Sequence, residues 1–212
     1  MSEGELEKRM AAEAAAALVE DGMRVGLGTG STVAHLLPAL AARVLDLRCV
    51  ATSVATERAA RELGLDVEDF DRLERLDIAI DGTDQVTADR WLVKGGGGAH
   101  TREKIVAAAA DRFVVIGDSS KRVERIGAPI PLELLPFGLA ATLARLGQVT
   151  LRDVPPSPDG GVIADYETEV GDPAELAARL AATPGVVDHG LFEPELVAEV
   201  LIASGSEIER IG

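Results

Sequence analysis

Short apolar runs alternate with alanine-rich helical stretches from residue 5 to about residue 120, and this alternation constrains the fold more than any other property of the chain. Leu6, Met10, Ala14 and Leu18 recur at helical spacing in residues 5–20, and Asp21-Gly22 closes that helix. Met23–Gly28 reads as a short buried strand. Residues 31–45 read as the next helix, with Ser31 and Thr32 as cap candidates. Leu47–Thr52 is a second strand, and Thr56–Leu63 a helix ended by Gly64. Leu76–Ile80 is an apolar strand ending at Asp81, Trp91–Val93 a candidate strand, Thr101–Ala110 a helix and Arg112–Ile116 a strand. Such an order predicts a parallel sheet wrapped by helices. Hydrophobic residues make up 47% of the chain but aromatics only 3%. The core is therefore built from Ala, Val, Leu and Ile, which suits strands buried on both faces.

The pattern changes near Pro129. Pro129, Pro131 and Pro136 punctuate Leu132–Leu135, and a helix follows at Leu139–Leu146. Val149–Val154 and Gly161–Tyr166 flank a proline- and glycine-rich turn and read as a hairpin. Pro173–Ala182 is a helix, and Pro184–Val187 leads into another strand. This order predicts a small antiparallel α+β unit. Val197–Ala203 and Glu207–Ile211 return to the first sheet. The expected class is α/β: a Rossmann-like parallel sheet over residues 1–127 plus 200–212, with a smaller ferredoxin-like α+β domain at 128–199. No stretch reaches the roughly 18 apolar residues of a membrane helix. The segment Met1–Arg9 is polar and acidic, unlike a secretory signal, so the cytoplasm is the expected location. A lone cysteine, Cys49, builds no disulfide framework and reads as a buried small hydrophobe.

The formal net charge is −15. A chain this acidic repels phosphate backbones, which argues against nucleic acid as a partner. Of 21 basic residues only Lys8, Lys94, Lys104 and Lys121 are lysines. Acid excess with scarce lysine is the composition expected of a possible halophile, whose cytosol screens exposed charge. A GC-rich genome is the alternative, and unfolding in low and in multimolar KCl separates the two.

Two glycine segments carry chemistry. Gly26-Leu27-Gly28-Thr29-Gly30-Ser31-Thr32 joins a strand to a helix, where free N–H groups and the helix dipole suit a phosphate; a tight turn with a helix cap is the bland alternative. The dinucleotide fingerprint fails, because Ser31 or Val33 stands where its third glycine belongs. The mononucleotide loop fails because no lysine is present. A single phosphate is the better fit. Asp81-Gly82-Thr83-Asp84 closes an apolar strand, where open parallel sheets bind ligands, although a simple Asx-type turn reads equally well. Lys94-Gly95-Gly96-Gly97-Gly98 is entropically costly, and exposed N–H groups for a developing oxyanion would justify it. Glu103 follows in the first turn of a helix. A dipole complement is its ordinary explanation, but the loop before it makes it a candidate base.

Taken together with Arg102-Glu103-Lys104-Ile105-Val106, Asp118-Ser119-Ser120-Lys121, Pro131-Leu132-Glu133-Leu134 and Gly190-Leu191-Phe192, these segments resemble the type A ribose-5-phosphate isomerases over nearly the whole chain. The resemblance implies an aldose–ketose isomerase of the pentose phosphate pathway that interconverts ribose 5-phosphate and ribulose 5-phosphate through an enediolate, with no metal or organic cofactor. It implies Glu103 as general base, Asp81 in ring opening and hydroxyl proton transfer, and Asp84 and Lys94 on the sugar oxygens. Gly82 and Thr83 lie in the same substrate-binding turn. Gly95, Gly96 and Gly97 would hold the enediolate oxygen, Thr29, Gly30, Ser31 and Thr32 the phosphate, and Lys8 and Lys121 would add contacts. It also implies a homodimer or homotetramer. Three of the four lysines fall at substrate positions. Gln85 stands where the family usually has Glu, His100 where it commonly has an apolar residue, and Asp159-Gly160-Gly161 lacks a usual asparagine. Rival readings are an amino-sugar phosphate isomerase, a coenzyme A transferase with a nucleophilic glutamate, and a non-catalytic sugar-phosphate sensor. The transferase fits the two glycine motifs poorly, and the sensor has no need of Glu103.

Overall fold

The computed structural model describes residues 2–212, apart from the side chain of Arg72. In chain order the elements are α1 (Glu3–Ala16), β1 (Arg24–Leu27), α2 (Val33–Ala41), β2 (Arg48–Ala51), α3 (Val54–Glu62), β3 (Ile78–Gly82), β4 (Gln85–Val86), β5 (Leu92–Val93), α4 (His100–Ala108) and β6 (Phe113–Asp118). Then come β7 (Ile130–Leu134), α5 (Leu139–Leu146), β8 (Val149–Leu151), β9 (Val162–Tyr166), α6 (Pro173–Ala181), β10 (Val186–His189), β11 (Leu191–Phe192), β12 (Glu199–Ser204) and β13 (Glu207–Ile211). They divide into two compact units. One holds the chain up to Thr83 with Arg102–Arg122 and Glu195–Gly212; the other holds Asp84–Thr101 and Val123–Pro194. No helix among the described residues is long and apolar enough to cross a membrane.

The first unit is a six-stranded sheet in the order β13-β12-β6-β3-β1-β2, parallel except for the closing β12–β13 hairpin. Every residue of β6 is buried, as are four of five in β3. Strands covered on both faces read as unbroken apolar runs. Ala11, Ala12, Ala15 and Ala16 of α1 and Leu36, Leu37 and Leu40 of α2 pack with Val25, Leu27, Ile80, Val114 and Ile116. Small alanines let α1 lie close to the strands. Val106 of α4 packs against β1 at Gly26. Because β1, β2, β3 and β6 run the same way, their carboxyl ends put Gly28, Thr52, Gly82 and Asp118 along one edge of the sheet. Cys49 is fully buried, and that burial pushes its thiol up to about 12, so it is inert packing. At the opposite ends, Arg24 grips Asp77 with two guanidinium bonds of 3.1 and 2.8 Å and its own N–H at 2.7 Å, which lowers the Asp77 carboxyl to about 2.

The second unit runs β7-α5-β8-β9-α6-β10, and its sheet order is β10-β7-β9-β8 with every pair antiparallel. This is the ferredoxin-like arrangement. A small sheet, β11-β5-β4, stands beside it in the same unit.

Two local readings of the sequence need correction. β7 is a central strand where the prolines gave no strand signal. Pro131 is tolerated because it lies past the last β10 pair, Leu132 with His189, and its carbonyl still accepts Gly190 N–H at 2.7 Å. α2 starts at Val33 and ends at Ala41, short of Leu45, and Thr32 makes no side-chain cap bond. The Gly30 carbonyl closes the first turn onto Ala34 N–H at 3.0 Å, and Val44 turns left-handed at φ 52° beyond the end.

Candidate active site

In the first unit the site begins where β1 leaves the sheet. Thr29 N–H donates to Asp81 Oδ1 at 3.0 Å, and Gly82 N–H donates to the same oxygen at 2.7 Å. Two backbone donors fix the buried Asp81 carboxylate against the strand end. The Thr29 hydroxyl lies 2.8 Å from that of Thr52, and Thr56 donates to Gly28 O at 2.9 Å, so threonines brace the loop from below. Gly28 must be glycine: a Cβ there would lie 2.0 Å from the Asp81 carboxyl. Gly28→Ala should displace Asp81 and lower kcat/KM by about 10²-fold, the scale set by a misplacement of about 1 Å. Steady-state kinetics check this, and an unchanged kcat/KM would show that the seat of Asp81 is irrelevant.

Glu103 sits in the first turn of α4 with only 4% of its surface exposed. This burial separates it from a solvated glutamate that merely complements a helix dipole. Lys8 and Lys121 line one cleft of about 640 Å³ together with Glu7, Asp118 and Ser119. The loop Thr29–Thr32 is not part of that lining. Lys8 Nζ is held by Glu5 at 2.8 Å, and the other Glu5 oxygen lies 3.1 Å from His35 Nε2. Glu7 ties α1 to the cleft: it accepts Gly205 N–H at 2.7 Å, and Ser119 through its hydroxyl at 2.8 Å and its N–H at 3.1 Å. These bonds hold its carboxyl below the usual range, the Gly205 bond foremost.

In the second unit, Asp84 and the glycine run come together. Gly96 N–H donates to Asp84 Oδ2 at 2.7 Å, and Asp84 N–H to Val93 O at 2.8 Å. Gly98 N–H closes a turn on Gly95 O at 2.9 Å. Gly95 has φ +105°, and a Cβ would lie 2.6 Å from His100 Nδ1, so the buried His100 walls the turn. Lys94 is buried, its Nζ 5.6 Å from the centre of the Phe192 ring. Gln85 makes a reciprocal pair with the Gly127 backbone, donating at 2.9 Å and accepting at 2.9 Å. A glutamate could not donate the first of these bonds. Arg152, which no motif in the sequence singles out, donates to the carbonyls of Gly95 and Gly96. Among the described residues, no group of three His, Cys, Asp or Glu side chains is placed to hold a metal ion.

Buried carboxylates at Asp81 and Glu103 in one unit and an amide-rich turn in the other are the kinds of group an aldose–ketose isomerase needs. Residues 48–207 match the family model of ribose 5-phosphate isomerase A (phosphoriboisomerase A), and the chain belongs to that family. It is 43% identical to ribose-5-phosphate isomerase A of Caulobacter sp. (strain K31), over 97% of each chain. It is 47% identical to that of Halobacterium salinarum (strain ATCC 29341), over 88% of this chain and 87% of that one. The solved ribose 5-phosphate isomerase A of Methanocaldococcus jannaschii has a TM-score of 0.91 at 33% identity, covering 97% of this chain and 98% of the other.

Proposed function

We propose that Glu103 is the base with which this isomerase interconverts ribose 5-phosphate and ribulose 5-phosphate. The observation that carries the reading is the burial of the Glu103 carboxylate in the first turn of α4, directly after the glycine turn in the chain. In the open-chain aldose, Glu103 removes the C2 proton, and the electron pair forms the C1–C2 double bond of the enediolate while the C1 carbonyl oxygen takes up negative charge. The amides of the glycine turn and the Lys94 ammonium stabilise that oxygen. The Glu103 carboxyl proton exchanges with solvent, and Glu103 then protonates C1. Asp81, its Oδ1 fixed by two amides, helps open the ring and shuttles the hydroxyl protons, with Asp84 on the sugar hydroxyls. Thr29–Thr32 at the start of α2 receive the phosphate, with Lys8 and Lys121 as further contacts. The assembly is a homodimer or homotetramer working in the cytoplasm. For this assembly the exposed Phe137 offers an apolar group of the kind interfaces cover.

The experiment is turnover of ribose 5-phosphate in D2O, followed by NMR. The equilibrated sugar phosphates should carry solvent deuterium at C2 of the aldose and C1 of the ketose. Products that reach equilibrium unlabelled would indicate a hydride shift and overturn the enediolate route.

A further inference from the structure

Arg152 leaves the end of β8 with all of its donor edges engaged inside the second unit. Its Nε and Nη2 donate to the two oxygens of Asp165 at 2.7 and 2.6 Å. Its Nη1 donates to Gly95 O at 2.8 Å and to Gly96 O at 3.0 Å. The pair is well shielded, with side-chain exposures of 18% and 16%. Asp165, on β9, is opposite Thr150 of β8, so two adjacent strands set the fork. A guanidinium is planar and rigid, and one bonded to a carboxylate along one edge has a fixed direction along the other.

That direction orients the glycine turn. A trans peptide is planar, with C=O and N–H on opposite sides. Holding Gly96 O against Arg152 therefore turns the Gly97 N–H away from Arg152. Holding Gly95 O there turns the Gly96 N–H away as well, and that hydrogen already goes to Asp84. Gly97 is exposed, and no acceptor among the described residues takes its N–H. Without side chains to pack, this turn would otherwise sample many peptide orientations.

We propose that Arg152, braced by Asp165, is a positioning residue for isomerisation that presents the Gly97 N–H as the amide donor to the enediolate oxygen. This rests on the reading of the glycine turn as the oxyanion site. It narrows that reading from three candidate amides to two, because Gly96 serves Asp84, and of the two it takes Gly97, which is exposed, over Gly95, which is buried against His100.

The test is Arg152→Lys, which keeps the charge but cannot fork across Asp165 and two carbonyls. Turnover should fall about 10²-fold with KM within about threefold, the loss expected of one misplaced oxyanion donor. Affinity for 4-phosphoerythronate, whose carboxylate mimics the enediolate, should fall by the same factor. Affinity for ribitol 5-phosphate, which has no carbonyl oxygen, should be unchanged. Wild-type turnover in the variant, or equal weakening of both ligands, overturns the proposal; the second outcome marks a merely structural residue. Should Arg152→Lys fail to fold, the wild-type protein with 15N-labelled glycine decides. The Gly97 amide proton should move downfield on saturation with 4-phosphoerythronate and not with ribitol 5-phosphate, and an unmoved Gly97 signal sinks the idea. Failure of the Glu103 reading looks different, because it is read from C2 proton exchange rather than from the contrast between these two ligands.

Discussion

Replacing Glu103 by Gln should lower kcat by up to about 10⁴-fold, the upper range for loss of a positioned base, while leaving binding of 4-phosphoerythronate within about threefold. The side chain keeps its shape. What disappears is the ability to take a proton from carbon. Glu103 is buried at 4% exposure in the first turn of α4, where a side chain of the same shape keeps the packing. Steady-state kinetics and calorimetric titration of the same preparation separate the two effects. Turnover near that of wild type would remove Glu103 from the mechanism.

Lys94→Met is the second large effect. Lys94 is buried at 2% exposure beside the Phe192 ring and immediately before the glycine turn. Its stem and the methionine side chain are of similar length, so packing against Phe192 survives the change. In the proposed mechanism the lost ammonium is a preorganised partner for the enediolate oxygen, and a stabiliser of that kind is worth about 10²–10³-fold in kcat. KM should change far less, because the neutral sugar oxygen of the ground state gains little from the charge. A rise in KM with kcat preserved would instead make Lys94 an ordinary substrate contact.

The parallel sheet was legible because strands covered on both faces must be apolar along their length, as β3 and β6 are. β7 was not, because Pro131 is a strand breaker by rule and only the place where β10 ends makes it harmless. The length of α2 was overread, since nothing local in 42–45 announces the left-handed turn at Val44. Glycine motifs and acidic residues at strand ends stood out as candidates because their chemistry is local in the chain. Arg152 was invisible for the opposite reason. Its partners, Asp165 and the Gly95–Gly96 carbonyls, lie 13 and about 57 residues away, and only the β8–β9 pairing brings Asp165 beside it. Burial was equally hidden: Glu103 looks like any first-turn glutamate until its exposure is known.

The proposed mechanism has one carboxylate, Glu103, remove the C2 proton. Its most direct test is the rate at which ribose 5-phosphate exchanges its C2 hydrogen for deuterium in D2O, compared between wild type and Glu103→Gln. If Glu103 is the base, exchange and isomerisation fall together by the same factor, since neither proceeds without the enediolate. Exchange persisting at the wild-type rate while isomerisation fails would mean that another group abstracts the proton, and would contradict the assignment.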